Sequence, residues 1–219
     1  MSIIRNSNVY LENRGIIKTS LRIENGVIAE ISDEIEGSDA ITLPEKQILV
    51  PGFIDEHTHG ANGSDAMDAS SNSLHTIAKA VLKEGTTSLL FTTMTMEKKS
   101  ILSSLSTIRE YLLTQDKTVA NGLGIHLEGP FISPAFCGAQ NKEDILELNV
   151  DDLNEFIQES GDNIKEMTFS YKAGHDDFIK LAHDHHIVLS LGHTDDTYQE
   201  AKEAFDKGVR LTTHTYNAM

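Results

Sequence analysis

Five side chains that commonly bind divalent metals follow or end predicted β-strands: His57, His59, Glu128, His193 and His214. His57 and His59 are separated by one residue, so a strand points both imidazoles to the same face. The carboxyl ends of parallel strands gather at one mouth of a barrel, where residues far apart in sequence can meet. Imidazoles with a carboxylate suit zinc, iron or another first-row divalent ion.

One histidine at a strand end is usually a packed or solvated side chain, so each position alone is weak evidence. The coincidence at four strand ends is the stronger observation, and it predicts a metal site. His126 shares a face with Glu128, and we expect it to be a buried core histidine. The remaining histidines lie on or near predicted helices and are interpreted as surface residues: His75, His175, His183, His185 and His186.

Short apolar runs alternate with helical patterns from Gln47 onward. The predicted strands are QILVPGFID, TTSLLFTT, GLGIHLE, IKEMTF, IVLSLG and VRLTTH. Five helical patterns separate these six strands, and the last covers 195–207 with Thr194 as a plausible N-cap. Strands that are apolar throughout and alternate with helices predict a parallel sheet covered by helices.

Residues 1–48 have a different pattern, with short β-branched runs and no helical periodicity. Asn25-Gly26 lies between the apolar segments 21–23 and 27–31 and predicts a hairpin with a type I′ turn. The chain is therefore expected to have a small β-rich domain portion at 1–48 and an α/β domain at 49–219.

The charge, the single cysteine and the apolar runs of the sequence bear on its partners and its compartment. The formal net charge is −16 and the pI is about 4.9, so neither nucleic acid nor a membrane surface is expected as a partner. Cys137, the single cysteine, cannot form an internal disulfide and is interpreted as inert, which fits the cytoplasm. No apolar run approaches the ~18 residues needed to span a bilayer, so we expect neither secretion nor anchoring.

Four stretches carry a resemblance to a known family: PGFIDEHTHG at 51–60, HLEGPFISP at 126–134 followed by GAQ at 138–140, SLGHTDDTYQEA at 190–201, and THTYNAM at 213–219. They resemble the amidohydrolase superfamily and, more closely, its N-acetylglucosamine-6-phosphate deacetylase family. The PGFID-x-H-x-H segment alone is a superfamily signal. Its combination with HLEGPF, GHT and H-x-Y-NAM is far more specific.

The resemblance implies an α/β fold of the (β/α)8 TIM-barrel type attached to a small β-sandwich. Residues 1–48 would form the N-terminal part of the sandwich, and 49–219 would form a barrel with only about six strands present. Glu128, His193 and His214 would hold the main metal, and His57 and His59 a second ion. The cofactor would be zinc or iron, as one or two ions. Three further residues would contact the substrate: Gln140, Asn217 and the backbone of Ala218.

The implied activity is removal of the acetyl group from N-acetylglucosamine 6-phosphate, which gives glucosamine 6-phosphate and acetate, in a protein that is commonly a homodimer. Two enzymatic alternatives stay open: a deacetylase of N-acetylgalactosamine 6-phosphate, or another cyclic amide hydrolase of the superfamily. An alternative of another class is a non-catalytic fragment that binds only metal or partner subunits.

Length bears on these alternatives, since a complete barrel of this type takes ~250 residues and 49–219 is shorter. The catalytic aspartate of the family, which serves as general acid and base, would lie beyond Met219. We therefore expect either that the sequence is the N-terminal part of a longer polypeptide or that another chain supplies the remaining strands.

Overall fold

A computed structural model describes residues 2–218 of this protein. The chain forms two compact units, of which the first ends at Gly52 and the second begins at Phe53. In the described part of the chain, no helix is long and apolar enough to cross a membrane.

The first unit is built on one sheet, with strands β1 (Ser2–Leu11), β2 (Gly15–Glu24), β3 (Val27–Ser32), β4 (Ala40–Ile41) and β5 (Ile48–Leu49). The order is β3-β2-β1-β4, and β5 also pairs with β1. Neighbours among β1, β2 and β3 are antiparallel, whereas β4 and β5 run parallel to β1.

The hairpin between β2 and β3 confirms the prediction from Asn25-Gly26. Asn25 has a φ of 51° and Gly26 a φ of 80°, so both central residues of the turn are left-handed. A type I′ turn requires this conformation, which asparagine and glycine adopt most readily. The local sequence therefore favours this connection.

The second unit contains strands β6 (Phe53–Thr58), β7 (Gly60–Ala61), β8 (Ser64–Asp65), β9 (Thr86–Thr92), β10 (Asn121–Glu128), β11 (Ile164–Phe169), β12 (Val188–Leu191) and β13 (Leu211–Thr212). Six of the strands within 53–218 form one parallel sheet in the order β13-β12-β11-β10-β9-β6. Among these six strands, each lies beside the one that precedes or follows it in the chain, as in a barrel wall. β7 and β8 form a short antiparallel pair in the loop after β6.

A helix precedes each of the last five strands of this sheet: α1 (Ser71–Lys83), α2 (Lys98–Thr114), α3 (Val150–Ser160), α4 (Asp176–Asp184) and α5 (Tyr198–Asp206). The predicted alternation of strands and helices, and the α/β fold class, are thus confirmed. Two 3₁₀ turns, at Ala66–Asp68 and Lys142–Asp144, lie in the loops after β8 and β10.

The core of the second unit lies between the sheet and its helices. Ile101, Leu105 and Ile108 recur at helical spacing on α2 and are fully buried, as are Leu89 and Phe91 of β9. Burying a side chain of this size stabilises the fold by about 1.5–3 kcal/mol. This packing holds the strands in place against the helices, and so determines the position of each strand end.

Two predicted boundaries near the end of the chain are wrong. The last helix begins at Tyr198 rather than at 195, because Thr197 caps it: its hydroxyl accepts from the Glu200 N–H, and the Glu200 carboxylate accepts from Thr197. Thr194 is instead buried, and its hydroxyl contacts Asp196 at 2.5 Å. The last strand ends at Thr212, so His214 follows the strand by two residues.

Candidate metal centre

The structure brings all five predicted metal-ligating residues together around the carboxylate of Glu128. Oε1 of Glu128 lies 2.9 Å from Nε2 of His214 and 3.2 Å from Nε2 of His193. Nε2 of His57 is 3.5 Å from the same oxygen, and Nε2 of His59 is 3.0 Å from Oε2. Four imidazoles from three segments of the chain therefore converge on one carboxylate.

Glu128 is the last residue of β10, the strand with β9 on one side and β11 on the other. Its side chain is only 2% exposed. A carboxylate this deeply buried requires charged or hydrogen-bonding partners, because desolvation of an isolated charge is costly. The histidines supply them.

His57 belongs to β6 and His59 follows that strand directly. The pairing between β6 and β9 is irregular between Asp55 and Thr58, where the backbone N–H of Thr58 donates to the hydroxyl of Thr92 instead. The Asp55 carboxylate accepts from the backbone N–H of His57 at 3.1 Å. Asp55 therefore supports the backbone at this strand end and makes no hydrogen bond to the His57 ring.

His193 and His214 both have left-handed backbones, with φ of 48° and 56°. This conformation is uncommon for residues other than glycine, and it persists where surrounding contacts enforce it. For His193 one such contact is the hydrogen bond from Nδ1 to the carbonyl oxygen of Phe136, 2.8 Å long. With Nδ1 donating, Nε2 is left to face Glu128, the arrangement typical of a metal-ligating histidine.

The charges within the cluster perturb one another. Burial alone would raise the pKa of Glu128, but contacts with His193, His57 and His59 outweigh it and hold this pKa far below its usual range. Burial disfavours the charged form of His59 and His193, yet their contacts with Glu128 raise both pKa values. The cluster thus favours positive charge beside Glu128, which a metal cation can supply in place of protons.

The donor set fits a divalent metal. The candidate ligand atoms of His57, Glu128 and His214 all lie within 4.8 Å of one another. Two ligands each about 2.0–2.2 Å from a zinc-like ion are separated by roughly 3–4 Å, which matches these contacts. Among the described residues, Nε2 of His57 and Nδ1 of His59 are buried without a hydrogen-bond partner. Such orphaned nitrogens are explained by an ion or an ordered water.

His126 is buried, as expected, and both of its ring nitrogens are engaged. Nδ1 lies 2.9 Å from the backbone oxygen of Glu56, and Nε2 lies 2.7 Å from the hydroxyl of Thr168. Its ring packs edge-on against the ring of His57, with centroids 4.7 Å apart. Burial above all, and then the nearby His57, lower the pKa of His126 to about 4. His126 is therefore a neutral neighbour of the cluster.

Sequence analysis missed Glu166, a buried acid beside this centre. Its Oε1 lies 3.7 Å from Nε2 of His126, and a cleft of about 440 Å³ is lined by Glu166 together with Glu56, His57 and His214. Burial and, after it, the nearby Glu56 carboxylate raise the pKa of Glu166 to about 7. The available signal was a single acid within the apolar strand IKEMTF.

The three predicted substrate-contacting residues lie in two loops. Gln140 is buried beside Gly129; its Oε1 accepts from the Thr95 N–H at 2.8 Å, whereas its Nε2 has no partner among residues 2–218. Asn217 is exposed, and the backbone oxygen of Ala218 accepts from the N–H of Thr194 at 3.2 Å. The segment after His214 thus folds back beside the loop that carries His193.

The remaining histidines predicted to be surface residues, His75, His175, His183, His185 and His186, are exposed or half-buried and lie on or next to helices. None belongs to the cluster around Glu128 in the described structure. Cys137 is a buried free thiol.

Comparison with known proteins identifies the family. A family model described as the amidohydrolase family matches residues 48–219. A curated N-acetylglucosamine-6-phosphate deacetylase of Bacillus subtilis (strain 168) is 37% identical, with 99% of this chain and 56% of the relative covered. A curated N-acetylgalactosamine-6-phosphate deacetylase of Escherichia coli O157:H7 is 31% identical, with 99% of this chain and 57% of the relative covered. The chain thus spans about half the length of the curated relatives it matches.

Solved structures show the same fold. The crystal structure of N-acetylglucosamine-6-phosphate deacetylase from Pasteurella multocida matches with a TM-score of 0.88 and 30% identity, covering 100% of this chain and 57% of that one. The amidohydrolase family is metal-dependent, and this chain carries a histidine and glutamate group suited to a metal. On the match over 48–219 and the shared fold, the chain belongs to the amidohydrolase family.

Proposed function

We propose that this chain forms the metal-binding part of a hydrolase that removes the acetyl group from N-acetylglucosamine 6-phosphate. The single observation that carries the proposal is the convergence of His57, His59, His193 and His214 on Glu128. Relatives named for this reaction match nearly the whole chain, and the conversion yields glucosamine 6-phosphate and acetate.

We propose a main ion held by Glu128, His193 and His214, and a second held by His57 and His59 with Glu128 between them. Contacts to both carboxylate oxygens support two ions, since His193, His214 and His57 approach Oε1 whereas His59 approaches Oε2. Imidazole and carboxylate donors suit zinc or iron. A bound ion would lower the pKa of water toward ~7 and stabilise the negative charge that develops on the amide oxygen.

The protein's own residues would prepare this chemistry in two ways. Phe136 fixes the tautomer of His193 by accepting from Nδ1, so Nε2 is free to bind an ion. Of the five ligands only Glu128 carries a negative charge, so the positive charge of a divalent ion is not fully neutralised. The remaining charge would attract an anionic sugar phosphate to a chain whose net charge is −16.

We propose that Gln140, Asn217 and the backbone of Ala218 contact the substrate. The unpartnered Nε2 of Gln140 supports this role, because a buried donor without a partner favours a ligand that accepts from it. Asn217 and Ala218 lie in the loop that continues from His214, and their backbones bond those of His214 and Thr194.

Acetate release from N-acetylglucosamine 6-phosphate tests the proposal, measured with the natural polypeptide that carries this sequence, produced at its full length. Activity that disappears on chelation and returns with zinc or iron is expected. His193→Ala should abolish it, whereas the exposed-helix variant Lys79→Ala should not. Turnover that survives both chelation and His193→Ala would overturn the proposal.

A second candidate substrate is N-acetylgalactosamine 6-phosphate, favoured by the matched relative of that name from Escherichia coli O157:H7. The two sugars differ only in the configuration at one carbon, so the same centre would serve either reaction. Comparing kcat/KM for the two epimers decides between them. If neither is hydrolysed while a cyclic amide is, both sugar assignments are wrong.

Three broader assignments belong to the same proposal. We propose that residues 1–48 form part of a small β-sandwich and that 49–219 belong to a metal-dependent barrel. We propose a cytoplasmic protein, which the single cysteine supports. We also propose a homodimer, to be tested by light scattering coupled to size exclusion.

A further inference from the structure

A row of buried hydroxyl groups crosses the sheet beneath the proposed metal centre. The hydroxyl of Thr168 lies 2.7 Å from Nε2 of His126 and 2.7 Å from the hydroxyl of Thr213, which lies 2.7 Å from that of Ser190. His126, Thr168 and Ser190 are fully buried, and Thr213 is 5% exposed. We call Thr168, Thr213 and Ser190 the hydroxyl row.

The hydrogen bonds of this row form one continuous chain. The backbone oxygen of Glu56 only accepts, so Nδ1 of His126 carries a proton and donates to it. Nε2, on the other side of the ring, bonds the Thr168 hydroxyl, and the Thr213 and Ser190 hydroxyls continue the chain, each of which can donate or accept. Hydrogen bonds therefore hold the His126 ring on both sides.

Two members of the row, and His126 beside it, lie close in sequence to a proposed ligand. Thr213 immediately precedes His214, Ser190 lies three residues before His193, and His126 lies two residues before Glu128. Thr168 is the register partner of both Glu128 on β10 and Ser190 on β12. The row therefore links the strand ends that carry the ligands, at the level just below them.

His126 supports the neighbouring ligand His57. Its ring contacts the ring of His57 edge-on at an interplanar angle of 77°. Nε2 of His57 lies 3.5 Å from Glu128 and has no hydrogen-bond partner within residues 2–218, so the packing of its ring against its neighbours helps to set its direction. His214 packs on the same ring, with centroids 5.1 Å apart.

We infer that His126 is a positioning residue for the metal centre and that its hydrogen bond to the hydroxyl row holds the ring in the orientation that this role requires. The inference rests on the proposed metal centre. Loss of the row would remove one of the two hydrogen bonds that hold the His126 ring, which would weaken its support of His57 and loosen the spacing among the strand ends. Partners of this kind around a metal site typically change affinity by 10- to 100-fold.

The test measures the affinity of the natural polypeptide that carries this sequence, at its full length, for Co²⁺ by competition with a chelator, together with the visible absorption of the bound ion. Thr168→Val removes one hydroxyl and nearly conserves shape. We expect its Co²⁺ affinity to fall about tenfold or more, with a changed absorption spectrum. Thr168→Ser restores the hydroxyl and should recover both readouts.

Ser160→Ala is the matched control, since it removes a buried hydroxyl on α3 that bonds only the backbone oxygen of Ile157. It should leave Co²⁺ affinity and spectrum unchanged. If Thr168→Val does not fold, as judged by circular dichroism, Ser190→Ala removes the far end of the row and should lower the affinity in the same direction.

Two results would contradict the inference in different ways. If the folded Thr168→Val or Ser190→Ala variant bound Co²⁺ within twofold of the unaltered chain and with the same spectrum, the positioning role would be wrong while the metal centre stood. If the unaltered chain bound no Co²⁺, the proposed metal centre would fail, and this inference with it.

Discussion

Nε2 of His214 lies 2.9 Å from Oε1 of Glu128, although 86 residues separate the two in sequence. Glu128 ends a central strand, and His214 follows the strand at the edge of the described sheet. Three other histidines approach the same carboxylate. The free energy of unfolding of the chain should therefore depend on whether a metal ion is bound between the carboxylate and the imidazoles.

Glu128→Gln should abolish stabilisation of the chain by metal. A ligand at 100 times its Kd adds about 2.7 kcal/mol to the free energy of unfolding, so zinc should raise the Tm of the unaltered chain by several degrees. The amide lacks the negative charge and would bind an ion far more weakly. Thermal unfolding with and without zinc measures the effect. Glu110→Gln, on the exposed face of α2, is the control and should keep the full shift.

His59→Ala should reduce the number of bound ions from two to one. His59 is the histidine at Oε2 of Glu128, whereas His193 and His214 both contact Oε1. Elemental analysis of metal per chain, after removal of loosely bound ions, gives the stoichiometry directly. The surface variant His183→Ala should keep two ions. A count of one in the unaltered chain would contradict the division into two sites.

Glu166→Gln should flatten the dependence of stability on pH. The pKa of Glu166 is about 7 in the folded protein against an ordinary value of 4.5. Between pH 4.5 and about pH 7, Glu166 keeps its proton in the folded protein and loses it in the unfolded chain. The free energy of unfolding therefore falls as pH rises through this range. Glu166 lowers the free energy of unfolding by at most about 3 kcal/mol over this range. The glutamine side chain of the variant does not ionise and so causes no such loss.

Urea denaturation of metal-free protein at pH 5 and pH 8 measures this effect. The variant should gain stability relative to the unaltered chain at pH 8 and gain little at pH 5. Glu143→Gln, at an exposed loop position, should change neither value. A variant that is equally destabilised at both pH values would show that Glu166 is not protonated in the folded protein.

Thr197→Ala should destabilise the second unit by about 1 kcal/mol, because it removes the N-cap of α5. The Thr197 hydroxyl accepts from the N–H of Glu200 and donates to the Glu200 carboxylate, and the substitution removes both contacts. The backbone N–H of residue 197 keeps its hydrogen bond to that carboxylate. Urea denaturation measures the change. Thr76→Ala, within α1, removes a hydroxyl that bonds only the helix backbone and should cost less than about 0.5 kcal/mol.

The sequence allows prediction of the alternating architecture because each buried strand carries its own signal. IKEMTF is predicted as a strand and forms β11 over the same residues, Ile164–Phe169. The pairing of His57 with His59 follows from the period of a strand. Their meeting with Glu128 follows from the rule that parallel strands end on one side.

Two features could not be predicted because they depend on contacts between segments. Both Thr194 and Thr197 are competent N-caps, and the choice between them depends on Thr194 being buried near Ser170 and Asp196. The hydroxyl row depends on the register of three neighbouring strands, whereas hydrophobic periodicity describes each strand alone. His214 was placed at a strand end, but the strand stops at Thr212.

The spread of the centre along the chain has a consequence for biosynthesis. His57 leaves the ribosome more than 150 residues before His214 does, and a growing chain holds an incomplete set of donors throughout that interval. If the proposed centre binds metal, an ion captured early would be held loosely and would exchange with others in the cell. Commitment to one metal would thus be deferred until translation has passed His214.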